Sequence, residues 1–290
     1  MGLHKPVLLN EVLAYLNPRE GGVFIDATIN GGGHATAIAE RIGKEGKLLG
    51  IDRDHELIKK LNASSFVVVC DTFANIKEVA EEQGFTQVDG ILFDLGFSSF
   101  HVDISGRGFS FLRDELLDMR YDTTTGVTAK DIIGNWTEEK LRSLFVTLGE
   151  ERYARRIARR IVEERMQKPI ETTAELVEII RTAVPPVYTH GRIHFATRTF
   201  QALRMRVNDE LEHVAKGIRE AISLLCRGGR IAVISFHSGE DRLVKEVFRS
   251  EEEKGVLKRI TKKPVPASEA ECEENPRARS AKLRVAERIE

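Results

Sequence analysis

The chain has 290 residues, 41% of them hydrophobic and 31% charged, with a formal net charge of −1. That is enough apolar material for one large domain or for one domain carrying an insertion, and the near-neutral total points to no partner. No segment reaches the roughly 18 uninterrupted apolar residues of a membrane helix, MGLHKPVLLNEV lacks the build of a signal peptide, and a soluble, cytoplasmic protein is expected.

Short apolar runs at Val23–Ala27, Leu48–Ile51, Phe66–Cys70 and Gly90–Phe93 alternate with helical stretches, and Arg230–Phe236 (RIAVISF) is a later run of the same kind. Alternation of this sort specifies a parallel sheet covered by helices on both faces, an α/β fold. Residues 105–207 break the pattern with several amphipathic helices and almost no strand-like segment, so they read as a helical insertion between 1–104 and 208–290. The turn-rich ISGRGFSFL marks one border and NDELEHVAKGIREAISLL, a sheet-covering helix, the other. The polar tail ends in the alternating KLRVAERI, which predicts a closing edge strand. The three cysteines, Cys70, Cys226 and Cys272, are far apart and odd in number, which argues against a disulfide framework or a zinc site. Cys70 and Cys226 read as buried small hydrophobes.

Residues 24–42, FIDATINGGGHATAIAERI, run from a strand through three consecutive glycines into an alanine-rich helix. Glycines after a strand let a backbone approach a ligand, and the helix start offers N–H groups and a positive dipole end to an anion. A carboxylate or phosphate is expected at Gly31, Gly32, Gly33 and His34, although such a loop also serves as a plain turn. Nineteen residues after Gly33, Asp52 ends the second strand, where a carboxylate accepts both hydroxyls of an adenosine ribose. The ligand is therefore read as a nucleoside. A dinucleotide would need the spaced G-x-G-x-x-G glycines, whereas here they are contiguous and Asp26 stands before them, where it repels phosphates. S-adenosyl-L-methionine brings a carboxylate for the loop and two cationic groups that welcome acids. A nicotinamide-dependent oxidoreductase would need a hydride-transfer acid/base pair that the sequence does not place.

The blocks HKPVLLNEV, DATINGGGHA, GIDRD, DGILFDLGFSS, RGFSF with LDMRYD, GEERYARRIARRIV, TRTFQALRMRVNDEL, GGRIAVISFHSGEDRLVK and ENPRARSAKLRVAER, spread over nearly the whole chain, resemble the bacterial 16S ribosomal RNA cytosine-N4 methyltransferases of the RsmH/MraW family. The resemblance implies a Rossmann-like methyltransferase domain interrupted by a helical domain. It implies S-adenosyl-L-methionine as cofactor and a decoding-centre cytidine of 16S rRNA, in the 30S subunit, as substrate. It places the cofactor on Gly32, Gly33, His34, Asp52, Phe73, Asp94 and His101. Phe73 would lie against the adenine; by its own pattern it fits a core aromatic equally well.

Methylation of a ring carbon would need a cysteine nucleophile, and neither Cys70 nor Cys226 stands in a Pro-Cys loop after the fourth strand. Direct attack by an exocyclic amine fits better, with acceptors drawing its delocalised lone pair toward the methyl group. The fourth strand ends in DLGFSS, where Asp94 is a candidate catalytic residue that binds cofactor, amine or both. His237, in SFHSGEDR, is a second candidate, either a base or base-contacting residue or a polar group at a helix start beside Ser238 and Asp241. The eight histidines form no ligand cluster with carboxylates, so no metal is expected.

Residues 152–168, RYARRIARRIVEERMQK, hold seven basic and two acidic residues. Tyr153, Ile157 and Ile161 make an apolar stripe with Arg152, Arg155, Arg156, Arg159 and Arg160 around it, a helix with a basic face suited to RNA. Arg192, Arg198, Arg204 and Arg206 and the tail RARSAKLR extend the basic surface in this reading, against the alternative of solvated arginines paired with glutamates. The target base must be unstacked to react, which favours a single-stranded or distorted segment. A ribosome-assembly module that holds the cofactor without turnover is the competing class.

Overall fold

The computed structural model describes residues 6–59, 61, 65–95, 105–191 and 193–290. The chain separates into two compact units, Met1–Ser98 with Leu211–Glu290, and Ser99–Glu210.

The first unit is built on β1 (Val23–Asp26), β2 (Lys47–Asp52), β3 (Val67–Cys70), β4 (Val88–Asp94), β5 (Leu225–Ser235), β6 (Leu257–Arg259), β7 (Val265–Pro266) and β8 (Lys282–Arg288). Their order is β3-β2-β1-β4-β5-β8-β6, with β7 also paired to β8. From β3 to β5 every pairing is parallel, and β8 runs antiparallel to β5, β6 and β7. Both faces of the sheet are covered, which is why its strands read as continuous apolar runs. Ile25, Leu49, Ile91, Phe93 and Val233 join one core with Val214, Ile218 and Val244. Their neighbours Phe24, Leu48, Leu92 and Ile234 join the other with Val12, Leu13 and Ile38. Chain order reverses between β1 and β4, so the crevice beyond their carboxyl ends is the place where such sheets receive ligands.

The final strand departs from the sequence expectation. KLRVAER is not a closing edge: β8 lies between β5 and β6. Leu283, Arg284, Val285 and Ala286 are consecutively buried, as an interior position requires. Arg284 is tolerated there because Asp241 accepts from its Nε at 2.6 Å and its Nη2 at 3.2 Å. Cys70 departs as well, being exposed at the end of an outer strand, and Cys226 is half-buried with its thiol 3.5 Å from Asp89 Oδ1.

The second unit is helical, with Ala129–Asn135, Glu138–Thr147, Ala154–Arg165, Thr173–Ala183, Pro186–Thr189 and Thr197–Val207. Its own core gathers Met119, Ile132, Phe145, Ile157, Ile161, Ile180 and Leu203. Thr128 and Thr172 close capping boxes with Asp131 and Glu175, each satisfying N–H groups that a helix start leaves free. Among the described residues no helix is long and apolar enough to cross a membrane.

Candidate active site

Four acidic side chains line up at the carboxyl end of the sheet, in the spatial order Asp52, Asp26, Asp94, Glu240. Asp52 ends β2, Asp26 ends β1 and Asp94 ends β4, while Glu240 sits in the first turn of the helix Ser238–Glu253 that follows β5. The register sets Asp26 against Gly50 and Leu92, and Asp94 against Ile234.

The outer two are held by backbone N–H groups. Asp52 accepts from Asn30 N at 3.1 Å on Oδ2 and from Asp54 N at 2.9 Å on Oδ1. Glu240 Oε2 accepts from Phe236 N at 2.8 Å and His237 N at 3.3 Å. Such bonds stabilise the ionised form. The inner two are nearly bare: Asp26 is 1% exposed and Asp94 5%. Asp26 Oδ1 accepts from Thr28 N at 3.2 Å, while Asp26 Oδ2 and Asp94 Oδ1 have no partner. Burial pushes the Asp26 carboxyl up to about 7, opposed by the Thr28 N–H and helped by the charge of Asp52. Burial, then the charges of Asp26 and Glu240, hold Asp94 well above the usual carboxylate range. Thr28 ties the two ends together, because its Oγ1 accepts from Asp94 N at 2.6 Å.

The glycine turn lies beside this row. Gly32 has φ 75°, a left-handed conformation, and precedes the helix Gly33–Ile42, whose start has no side-chain cap. The Gly32 amide closes the turn by donating to the Ile29 carbonyl at 2.7 Å, and the Gly32 carbonyl accepts the first helical bond, from Thr36 N at 2.8 Å. Gly33 has a packing reason of its own, since a Cβ there would meet Pro6 at 3.0 Å. Buried His34 sets Nε2 2.9 Å from the Val7 carbonyl. A carbonyl only accepts, so Nε2 carries the proton and Nδ1 is left 3.6 Å from Asp94 Oδ2.

Phe73 begins a short 3₁₀ turn capped by Thr72 and packs edge-on against Phe93, ring centres 5.7 Å apart. It is half-buried, with Gly217 making room for it: a Cβ there would lie 2.9 Å from its ring. His101 lies outside the described residues.

His237 is the N-cap of Ser238–Glu253, a polar group at the helix start beside Ser238. Its Nδ1 accepts from Glu240 N at 3.3 Å, and Nε2 lies 3.1 Å from Glu240 Oε1 without an in-line hydrogen bond. The pattern that marks this cap is the Glu three residues on, a capping box with histidine in the place of serine or threonine. Asp241 is instead the partner of Arg284. Asp26, Thr28 and Glu240 are site features that the motif reading did not single out as functional; for Asp26 the visible signal was an acid ending a strand just before the glycine turn.

In the second unit, Ala154, Ile157, Ala158 and Ile161 bury one stripe of Ala154–Arg165. Arg159 pairs with Glu163 at 2.9 Å and Arg160 with Glu164 at 2.6 Å. Arg152 and Arg156 lie over the ring of Tyr153, at 5.3 and 5.9 Å. No acid stands in the first turn, so the arginines at this end of the helix oppose its dipole. The second arginine cluster is mostly committed elsewhere. Arg204 is buried and held by both oxygens of Glu210, at 2.9 and 3.0 Å, Arg206 pairs with Asp209, and Arg198 donates to the Glu150 carbonyl. Arg192 lies outside the described residues. In the tail, buried Arg284 is likewise removed from any phosphate surface.

The sheet order, with its reversal at β1 and β4 and an antiparallel β8 beside β5, is that of a Rossmann-like α/β protein. Residues 1–289 match the MraW methylase family, and the chain belongs to that family. Two relatives are named ribosomal RNA small subunit methyltransferase H. The one from Halothermothrix orenii is 46% identical over 99% of this chain and 98% of its own length. The one from Sulfurihydrogenibium is 45% identical over 99% of both chains.

Proposed function

We propose that the chain transfers a methyl group from S-adenosyl-L-methionine to the exocyclic N4 amine of a decoding-centre cytidine in 16S rRNA of the small ribosomal subunit. The observation that carries this reading is the pair of buried carboxyls at the switch point, each with an oxygen that has no hydrogen-bond partner. The donor set suits the cofactor. The glycine turn and helix start at Gly32, Gly33 and His34 suit its carboxylate, Asp52 its ribose hydroxyls, Phe73 its adenine, and the acids its cationic groups. His101 completes the set that the family implies. When bound, the cofactor supplies an electrophilic methyl group on a positively charged sulfur.

The rest is done by the chain. Asp94 is the acceptor for the amine: its open Oδ1 draws the lone pair out of the ring conjugation and toward the methyl group. His237 serves as a polar group at the helix start rather than as the base. Its Nδ1 is occupied by the Glu240 N–H, so Nε2 carries the proton and has no lone pair to offer.

The helical unit binds the RNA. Of the basic face, Arg152, Arg155 and Arg156 carry the phosphate contacts, because Arg159 and Arg160 are already matched by Glu163 and Glu164. A ribosomal substrate places the protein in the cytoplasm. The test is to incubate the protein and methyl-labelled S-adenosylmethionine with 30S subunits and with naked rRNA, and to locate the label by nucleoside analysis. N4-methylcytidine is the expected product; binding of cofactor without transfer to either substrate would instead indicate an assembly module.

A further inference from the structure

Asp26 is absent from the residues that the family resemblance assigns to the cofactor, yet it is the more buried of the two inner carboxyls and keeps Oδ2 unpartnered. It cannot be treated separately from Asp94. The two end adjacent strands at the switch point and share Thr28, which donates through its N–H to Asp26 and accepts through Oγ1 from the Asp94 amide. Around them the charge is one-sided. Asp52 faces Asp26 from β2 and Glu240 faces Asp94 from the helix after β5, each held as an anion by two backbone N–H groups. His34, 3.6 Å from Asp94, is the one titratable group of basic character at ion-pair distance from the pair among the described residues. Four adjacent carboxylates, three of them buried, repel one another by more than this surrounding offsets, so the inner positions carry protons until a cation arrives. Burial, with the charge of Asp52 and against the Thr28 N–H, pushes Asp26 up to about 7.

We propose that Asp26 is a positioning residue acting through Asp94: the pair holds protons in the free protein, releases one when the sulfonium is bound, and so leaves Asp94 ionised to receive the proton that the amine loses. The proposal rests on the cofactor reading above. The transfer balances on this basis. A bond forms between N4 and the methyl carbon, the sulfur–methyl bond breaks with its electron pair going to sulfur, and nitrogen returns to neutrality by giving up one proton. The same event neutralises the sulfur, which removes the charge that had kept Asp94 ionised. Its carboxyl then favours the protonated form just as a proton becomes available.

The consequence is a difference between cofactor and product. S-adenosylhomocysteine carries the same ammonium and carboxylate but a neutral sulfide, so subtracting its behaviour isolates the sulfonium. Calorimetric titration of the whole protein with each ligand, in buffers of different ionisation enthalpy between about pH 6 and 8, counts the protons. For S-adenosylmethionine, release near one proton is expected, with Kd falling by up to about tenfold per pH unit as pH rises and levelling once the free pair has lost that proton. The product should release well under half as much. Asp26→Asn removes one of the two acids that hold the protons and should lower the release for S-adenosylmethionine toward that of the product. A merely structural role for Asp26 would weaken both ligands and leave the difference in protons unchanged. Equal proton counts for the two ligands in the unmodified protein would overturn the inference while leaving the cofactor assignment intact. Failure of S-adenosylmethionine to bind at all would overturn both.

Discussion

At the ends of β1 and β4, Asp26 and Asp94 are buried and each keeps an oxygen without a partner, whereas along Ala154–Arg165 the arginines face water and Arg159 and Arg160 are matched one turn on by Glu163 and Glu164. Burying a carboxyl without donors costs several kcal/mol, so a fold retains such a pair only where something else requires it. An exposed arginine costs almost nothing and contributes at most about 0.5 kcal/mol through an i,i+4 pair, so its presence alone says little. Within the arginine helix the same logic separates the first turn from the rest. Arg152, Arg155 and Arg156 sit at the positive end of the dipole of a helix whose first turn holds no acid. Arg204 supplies a third case, a buried cation fully matched by Glu210, which is structural.

That contrast is sharpened first at Arg204. Arg204→Met takes from buried Glu210 its guanidinium partner and leaves it, among the described residues, the Tyr121 hydroxyl 3.2 Å from its Oε1, and should cost about 3–5 kcal/mol of stability, read as a lower denaturant midpoint. Asp94→Asn should leave the fold intact and lower kcat by about 100-fold or more at saturating cofactor; a loss that extra cofactor restores would make Asp94 an anchor instead. Asp52→Ala should weaken cofactor binding by about 1.5–3 kcal/mol through loss of the charge-assisted hydrogen bonds to the ribose, and an unchanged calorimetric affinity in a folded variant would remove that assignment. The smallest effect is expected on the surface. Reversing Arg155 and Arg156 to glutamate should raise KM for 30S subunits or rRNA by about tenfold and flatten the log–log salt dependence by about one unit for each phosphate no longer neutralised. Reversing Arg159 and Arg160 should change both much less, since their charge is already neutralised locally.

Much of this arrangement is written in local pattern. Strands β1, β2, β4 and β5 are legible because burial on both faces turns them into apolar runs, β3 because its valines form one although it is an edge strand, and the glycine turn and Asp52 are legible because their chemistry follows from position after a strand. What was not legible depends on partners distant in sequence. β8 reads as an edge strand because alternation says nothing about strand order, and its Arg284 becomes an interior residue only through Asp241, 43 positions away. The three residues of β6 and two of β7 are too short to carry a period. Arg204 looks like its basic neighbours until its helix ends at Val207 and Glu210 folds back onto it. Asp26 was visible as an acid, but the lack of a partner for its Oδ2 is a property of the surroundings, which no motif encodes.

The division of labour between the two charged regions can be read in one assay, methyl transfer to 30S subunits at saturating cofactor and with the subunit concentration raised until the rate levels. The account predicts that the Arg155→Glu, Arg156→Glu variant recovers nearly full kcat at high subunit concentration, while Asp94→Asn stays about 100-fold down at every concentration. Recovery of Asp94→Asn together with a permanently low kcat for the arginine variant would contradict it.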